Sequence, residues 1–315
     1  MSSANLHRAK NAKNDEFYTR LADVSKELMH YEEHFKDKIV LCNCDDPEWS
    51  AFWRYFHLSF SALGLKKLIS THYDKNNPTY KMEYTGGDDN DIEVGIKTPL
   101  EGNGDFRNQE CLDILDEADI VVTNPPFSLF REYVAVLMEH NKKFLIIGNN
   151  NAITYKDFFP LLKNDDVRIG YNNPSEFDTP NGLTKKVLGL CCWFTNLGVA
   201  KHHEKLILRK KYTPEEYQTY DNYDAINVDK LSDIPVDYDG VMGVPISFMG
   251  KYNPAQFEII DARDIALHDK QRDKQTMLIK DADGSINGKP KYARICIRAR
   301  HPNPAGVPVV FDEYE

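Results

Sequence analysis

Asp119-Ile120-Val121-Val122-Thr123-Asn124-Pro125-Pro126-Phe127 decides the fold. Ile120 to Thr123 is an apolar, β-branched run, the composition of a parallel strand buried on both faces. Two prolines follow at once. They forbid ladder pairing and an immediate helix, so the chain leaves the sheet rigidly at the strand's carboxyl end. Open α/β sheets bind ligands at that end.

The turn's side chains suit methyl transfer to an exocyclic amine. Such a nitrogen is a poor nucleophile because its lone pair is conjugated with the ring. The Asn124 side-chain oxygen and the Pro125 carbonyl are two acceptors for its two N–H groups, and they would stabilise the positive charge that develops on nitrogen. Proline's fixed φ preorganises that carbonyl, and Phe127 offers a flat apolar face to a base. The plainer alternative is a strand-ending turn with a core phenylalanine.

Working outward, Phe130, Val134, Leu137 and Met138 mark a helix, and Lys142 to Gly148 a second buried strand ending in Asn149-Asn150-Asn151. Upstream, Lys38 to Cys44 and Lys67 to Thr71 read as strands. Between them Asp46 is placed to cap a helix with Pro47 at its first position. Trp49, Phe52, Trp53, Phe56, Phe60 and Leu63 then recur at helical spacing, a stripe expected in the core. This joint lacks the glycines that let a backbone approach a pyrophosphate, which argues against NAD or FAD. S-adenosylmethionine has no phosphate, and helix N-terminal N–H groups with an acidic side chain suit its carboxylate and ribose. Ile92 to Ile96 alternates as a strand does, and Asp105-Phe106 closes the loop before a helix near Cys111 to Glu117. Val187 to Asn196 is the last strongly apolar run. Strands and helices alternating over residues 15–200 predict a parallel α/β sheet.

The 315 residues, with 28% charged and 41% hydrophobic side chains, suit about two globular domains. No run approaches the roughly 20 apolar residues of a membrane span, and Met1 to Asn14 has no apolar core of a secretory signal. Six cysteines lack disulfide or zinc-ligand spacing and read as thiols of a reducing cytoplasm. A net charge of −10 argues mildly against nucleic acid, but a binding cleft needs only local positive charge. Such charge occurs in the N-terminal arm at Arg8, Lys10 and Lys13, and again at Arg209, Lys210 and Lys211. Thr276 to Ile279 and Tyr292 to Arg300 read as two strands. The second spaces Arg294, Arg298 and Arg300 on one face, either a ridge for phosphates and base edges or a solvated strand face.

Together these pieces resemble the EcoRI-type adenine-specific DNA methyltransferases of restriction–modification systems. Asp15-Glu16-Phe17-Tyr18-Thr19 looks like their N-terminal cofactor motif, and Asn43-Cys44-Asp45-Asp46-Pro47 sits where their first cofactor motif sits. Asp105-Phe106 looks like the motif that holds the cofactor's adenine, and Asn124-Pro125-Pro126-Phe127 like the catalytic motif. Trp193-Phe194 falls where an aromatic contact to the flipped base is usual. The glycine-rich first motif is absent. No acidic residue ends the Leu68-to-Thr71 strand, where a ribose partner is usual, so Asp45 or Asp46 takes that role.

The resemblance implies a Rossmann-like S-adenosylmethionine-dependent methyltransferase sheet with a C-terminal target-recognition region. Residues 1–14 would be a basic arm, 15–200 the catalytic and cofactor-binding domain, and 201–315 the DNA-binding region. The implied reaction moves a methyl from S-adenosylmethionine to N6 of an adenine flipped out of duplex DNA, stacked by Phe127 with Trp193 or Phe194. No metal is needed. A bacterial or phage cytoplasmic monomer is expected, paired in function with a restriction endonuclease but not bound to it. One alternative is an N-methyltransferase of RNA or of a protein glutamine, and another an inactive DNA-binding protein of the same fold.

Overall fold

A computed structural model describes residues 18–44, 46–77, 79–178, 184–186, 189–267, 277–279 and 284–303. The chain forms two compact units, one of residues up to Ala152 with Val167–Gly198, the other of Ile153–Asp166 with the residues from Val199 onward.

The first unit begins with β1 (Tyr18–Thr19) and α1 (Leu21–Leu28), then β2 (Ile39–Cys42), α2 (Ala51–Leu58), α3 (Phe60–Leu63) and β3 (Lys67–Thr71). It continues through β4 (Tyr80–Tyr84), β5 (Ile96–Pro99), α4 (Gln109–Glu117), β6 (Ile120–Thr123), α5 (Phe130–Glu139) and β7 (Lys143–Asn149). After α6 (Phe159–Lys163), which belongs to the second unit, come β8 (Arg168–Ile169), β9 (Glu176–Asp178), β10 (Thr184–Lys186) and β11 (Cys191–Thr195).

Eight strands pair in the order β5-β4-β3-β2-β6-β7-β11-β8. The central four, β3-β2-β6-β7, are parallel, as their apolar runs predict, whereas β4, β5, β11 and β8 are antiparallel additions. The sheet is therefore mixed rather than purely parallel. β4 mixes tyrosine with charged residues and gives no apolar signal, and the strand near Ile92 begins only at Ile96. Strand order reverses between β2 and β6, which makes their carboxyl ends the switch point of the sheet.

The aromatic helix is core as expected, with Phe52, Trp53 and Phe56 fully buried and Phe60 and Leu63 nearly so. Its start differs. Ser50 is the cap, its Oγ accepting from the Phe52 and Trp53 amides at 3.1 and 3.2 Å. Asp46 instead caps the preceding turn, accepting from the Glu48 amide, so Trp49 precedes the helix and lies 70% exposed.

A smaller sheet of order β1-β9-β10 is held to α1 by charged side chains. Arg20 reaches Glu176, Asp178 and Thr184, and Asp23 accepts from Ser175. Glu27 is fully buried and accepts from the Tyr171 and Asn172 amides at 2.7 and 2.6 Å, from Asn172 Nδ2, and from the Tyr31 hydroxyl at 3.0 Å. Burial outweighs these donors and raises its carboxyl above the ordinary range. Gly170 makes the contact possible, because any Cβ there would collide with the Glu27 carboxylate.

In the second unit β12 (Ile226–Asn227), β13 (Met242–Pro245), β14 (Phe257–Ile260) and β17 (Arg294–Ala299) pair in the order β12-β13-β17-β14, and β15 (Ser285–Ile286) and β16 (Lys289–Pro290) form a hairpin. Val244, Ile295 and Ile297 are buried at the centre of the four-stranded sheet. Ile279 meets Arg294 through a single bridge rather than as part of a strand.

Candidate active site

Chain reversal at the switch point gathers the motif residues of the first unit. Asn124 follows β6 directly, and the turn runs into a short 3-10 segment, Phe127–Leu129, and then α5. The Asn124 Oδ1 is withdrawn from solvent and takes no hydrogen bond, although the residue is engaged elsewhere. Pro126 anchors the helix entry, its carbonyl accepting from the Leu129 amide at 2.9 Å.

Asn43 follows the neighbouring strand β2 and is 5% exposed. Its Oδ1 accepts from the Tyr133 hydroxyl, and the Cys44 thiol lies 3.8 Å away. Tyr133 stands on α5, the helix launched by the Asn124–Phe127 turn, so one hydrogen bond ties the end of β2 to the helix behind β6. Phe106 packs edge-on against the same Tyr133 ring, with centroids 5.0 Å apart. Asn43, Phe106 and the helix that follows the Asn124–Phe127 turn thus meet at one tyrosine, a residue that the sequence reading does not single out.

Asp105 is held by Arg107. Nε meets Oδ1 at 2.9 Å and Nη2 meets Oδ2 at 2.6 Å, and this guanidinium pulls the carboxyl below its usual range. Arg107 also reaches Glu132 of α5 at 2.9 Å. Gly104 permits the loop's approach to β3. Its φ is +72°, and a Cβ there would collide with the His72 carbonyl.

Asp46 accepts from the Tyr80 hydroxyl at 2.8 Å and lies 3.7 Å from His72 Nε2. Burial first, and Asp46 second, raise the Tyr80 phenol. Pro47 is buried in the same turn. His72 was not among the expected residues, yet it stands at the carboxyl end of β3 with its Nδ1 buried and unpartnered. Phe17 and Asp45 lie outside the described residues.

The N-terminal motif joins through β1. Thr19 pairs with Phe177 of β9 and is 6% exposed, and its Oγ1 is buried with no hydrogen-bond partner. Phe177 is fully buried and meets Phe127 edge-on, with centroids 6.3 Å apart. A short strand therefore connects Tyr18-Thr19 to the Asn124–Phe127 turn. Nothing in the local sequence around Phe177 announces this, since its pairing partner is more than 150 residues away.

Trp193 and Phe194 take a different place from the one expected of base-stacking residues. Both are fully buried in β11, a strand covered on each face. Trp193 packs edge-on against Phe52 of α2, and Phe194 lies tilted against Phe130 of α5 beside Gly148, where a Cβ would strike the Phe130 and Phe194 rings. A strand that adds to the buried side of β7 must turn apolar side chains both ways, so the aromatic pair is core and neither ring presents a face to a base. The ring set against Phe127 is Phe177.

Six of the nine basic residues expected at DNA lie in the second unit. Arg209 and Lys211 are exposed, and Lys210 pairs with Asp233 at 3.1 Å. Arg294 is not part of an open ridge: it reaches Asp229 at 2.9 Å and Asn227 at 3.3 Å, with only 11% of its side chain exposed. Arg298 is exposed opposite Glu258, and Arg300 donates to the Pro254 carbonyl at 2.7 Å. Arg8, Lys10 and Lys13 lie outside the described residues.

Comparison with known proteins adds to this geometry. A family model described as adenine-specific methyltransferase EcoRI matches residues 5–300. The chain is 43% identical to Type II methyltransferase M.EcoRI of Escherichia coli, over 93% of this chain and 95% of that protein. It is 37% identical to Type II methyltransferase M.MpnI of Mycoplasma pneumoniae, over 94% and 98% respectively.

Proposed function

The chain belongs to the EcoRI family of adenine-specific methyltransferases and is a site-specific DNA adenine methyltransferase; from that premise we propose that Asn124-Pro125-Pro126-Phe127 is its catalytic turn and S-adenosylmethionine its methyl donor. The observation that carries the assignment is the turn's position, at the carboxyl end of β6 beside the strand-order reversal, with Phe127 against Phe177.

The residues present fit the donor. Thr19 supplies a buried hydroxyl with unused hydrogen-bonding capacity, of the kind a bound polar ligand satisfies. Asp105 has spare acceptor capacity on Oδ2 beyond its bond to Arg107, suited to an exocyclic amine. Asn43, Cys44, Asp46 and Pro47 line the end of β2. His72, beside Asp46, stands where a ribose partner is needed. Tyr18 and Phe17 complete the group by sequence position. When bound, S-adenosylmethionine supplies an electrophilic methyl on a sulfonium.

The chain's own residues do the rest. The target adenine must leave the stack to reach the turn. Phe127 offers it a ring face, and Phe177 buttresses that ring from the side. Asn124 Oδ1 and the Pro125 carbonyl accept its two N–H groups, which directs the nitrogen lone pair and stabilises the charge that grows on it. The proton shed after transfer departs to water. Pro126 fixes the geometry at no cost in conformational entropy during the reaction. DNA contacts fall to the second unit and the basic N-terminal arm. The enzyme acts as a monomer, paired in function with a nuclease of the same site.

Tritiated methyl transfer to unmethylated duplex DNA, with RNA and protein as parallel acceptors, tests the reading. Label should appear as N6-methyladenine in DNA alone. Asn124→Ala should lose at least about 10²-fold in transfer rate while binding S-adenosylmethionine within about twofold of wild type by calorimetry. Normal turnover by Asn124→Ala overturns the catalytic assignment, and failure of the wild type to bind S-adenosylmethionine overturns the cofactor.

A further inference from the structure

Ile207 is 71% exposed, more than any other large apolar side chain among the described residues. A single exposed apolar residue is ordinary. What distinguishes this one is how firmly its segment is held. The Asn253 side-chain amide donates to the Glu204 carbonyl at 3.2 Å. Gln256 clasps Leu206 at two points, accepting from its amide at 2.7 Å and donating to its carbonyl at 2.8 Å. Further on, the Lys210 carbonyl accepts from Val236 at 2.9 Å, and the Tyr212 amide donates to Asp237 at 2.7 Å. A loop pinned before and after Ile207 cannot fold back to cover it.

Exposure alternates from Leu206 to Arg209, and Lys210 is exposed as well. Leu206 and Leu208 are half-buried, while Ile207 and Arg209 are exposed, as is Lys211. Lys210, out of phase with Ile207, is occupied by Asp233. The segment thus holds out one rigid β-branched side chain followed at alternate positions by two cations, in a protein whose net charge is −10. Cations at this spacing suit phosphates, and a fixed apolar side chain just before them suits the gap opened when base steps unstack.

We propose that Ile207 is a wedge that enters the target duplex, with Arg209 and Lys211 gripping the adjacent backbone, and that it lowers the cost of extruding the adenine. The proposal rests on duplex DNA being the substrate.

The test uses full-length protein and a duplex carrying the methylation site, located by sequencing N6-methyladenine in DNA modified by the enzyme. One version has 2-aminopurine at the target and another has dyes at its ends. Ile207→Ala should bind with an unchanged salt slope, and its 2-aminopurine signal and bend should fall roughly tenfold in equilibrium population. Ile207→Leu should restore both. Arg209→Ala should keep the bend and reduce the salt slope by about one. Asn124→Ala should still give the 2-aminopurine signal, which separates failure of the wedge from failure of the catalytic turn. A wild-type bend and signal in Ile207→Ala overturns the proposal. So does a loss accompanied by a lower Tm, or one that leucine does not restore.

Discussion

Replacing Glu27 by alanine removes the carboxylate that fastens α1 to the segment leading into β9. Two amides, those of Tyr171 and Asn172, now donate to it at 2.7 and 2.6 Å, and both would be left in a part-buried site without that acceptor. Each stranded donor costs about 1–3 kcal/mol, and the vacated volume adds about 1 kcal/mol. The removed carboxylate no longer suffers burial, which offsets part of this. The net loss should be about 2–4 kcal/mol, or a Tm lower by roughly 5–15 °C. Glu27→Gln keeps one acceptor oxygen and should fall between alanine and wild type. Urea denaturation followed by tryptophan fluorescence measures all three. The pH dependence has a definite sign. Because burial raises the Glu27 carboxyl above 4.5, the native state binds more protons than the unfolded state from that pH up to the folded value. The contribution is fully present below 4.5 and is lost as pH rises through the folded value. The advantage of wild type over Glu27→Gln should therefore shrink as pH rises across that window. A Glu27→Ala loss below about 1 kcal/mol, or an advantage that grows with pH, would refute the reasoning.

Thr19→Val should act in opposite directions on two properties. It removes a buried hydroxyl that has no partner in the protein, so Tm should hold or rise, whereas S-adenosylmethionine affinity by calorimetry should fall about tenfold. Unchanged affinity would remove Thr19 from the cofactor site. Trp193→Phe should leave kcat and the 2-aminopurine signal within about threefold of wild type while costing roughly 1–3 kcal/mol of stability, because its role is packing. A selective loss of the 2-aminopurine signal would restore it as a base contact. Phe127→Ala should reduce kcat/KM by about 5–150-fold, the range for one base–aromatic stack, with cofactor affinity unchanged.

Much of the central sheet was legible because β2, β3, β6 and β7 are buried on both faces, and double burial writes itself as an uninterrupted apolar run. The Asn124–Phe127 turn was legible for a related reason: two prolines after such a run leave the chain few options. What failed to show were the features set by distant pairing. β4 carries tyrosines, a lysine and a glutamate whose apolar stems or rings pack while their heads pair, as Glu83 does with Lys67 of β3 and with Lys81, and β5 is exposed throughout. Phe177 gained its place through an antiparallel register with Thr19, which no local window contains. Trp193 and Phe194 misled because an aromatic pair within an apolar run reads the same whether it faces a ligand or the helices that cover the strand. The even spacing of Arg294, Arg298 and Arg300 could not say that Asp229 would claim the first of them or that the last would fall beyond the end of β17.

The chain's two compact units are not consecutive in sequence. Residues 153–166 leave the first unit, contribute Phe158, Phe159 and Leu162 as buried side chains of the second, and return before β8. Three crossings therefore join the units, and a single cut cannot separate them. A fragment stopped near residue 200 would carry an apolar helical segment stripped of the unit it belongs to, and should aggregate through it. Exchange of the C-terminal region between relatives meets the same obstacle. A chimera that keeps 153–166 from one parent and everything after 199 from another mixes two cores, and the workable graft transplants both pieces together.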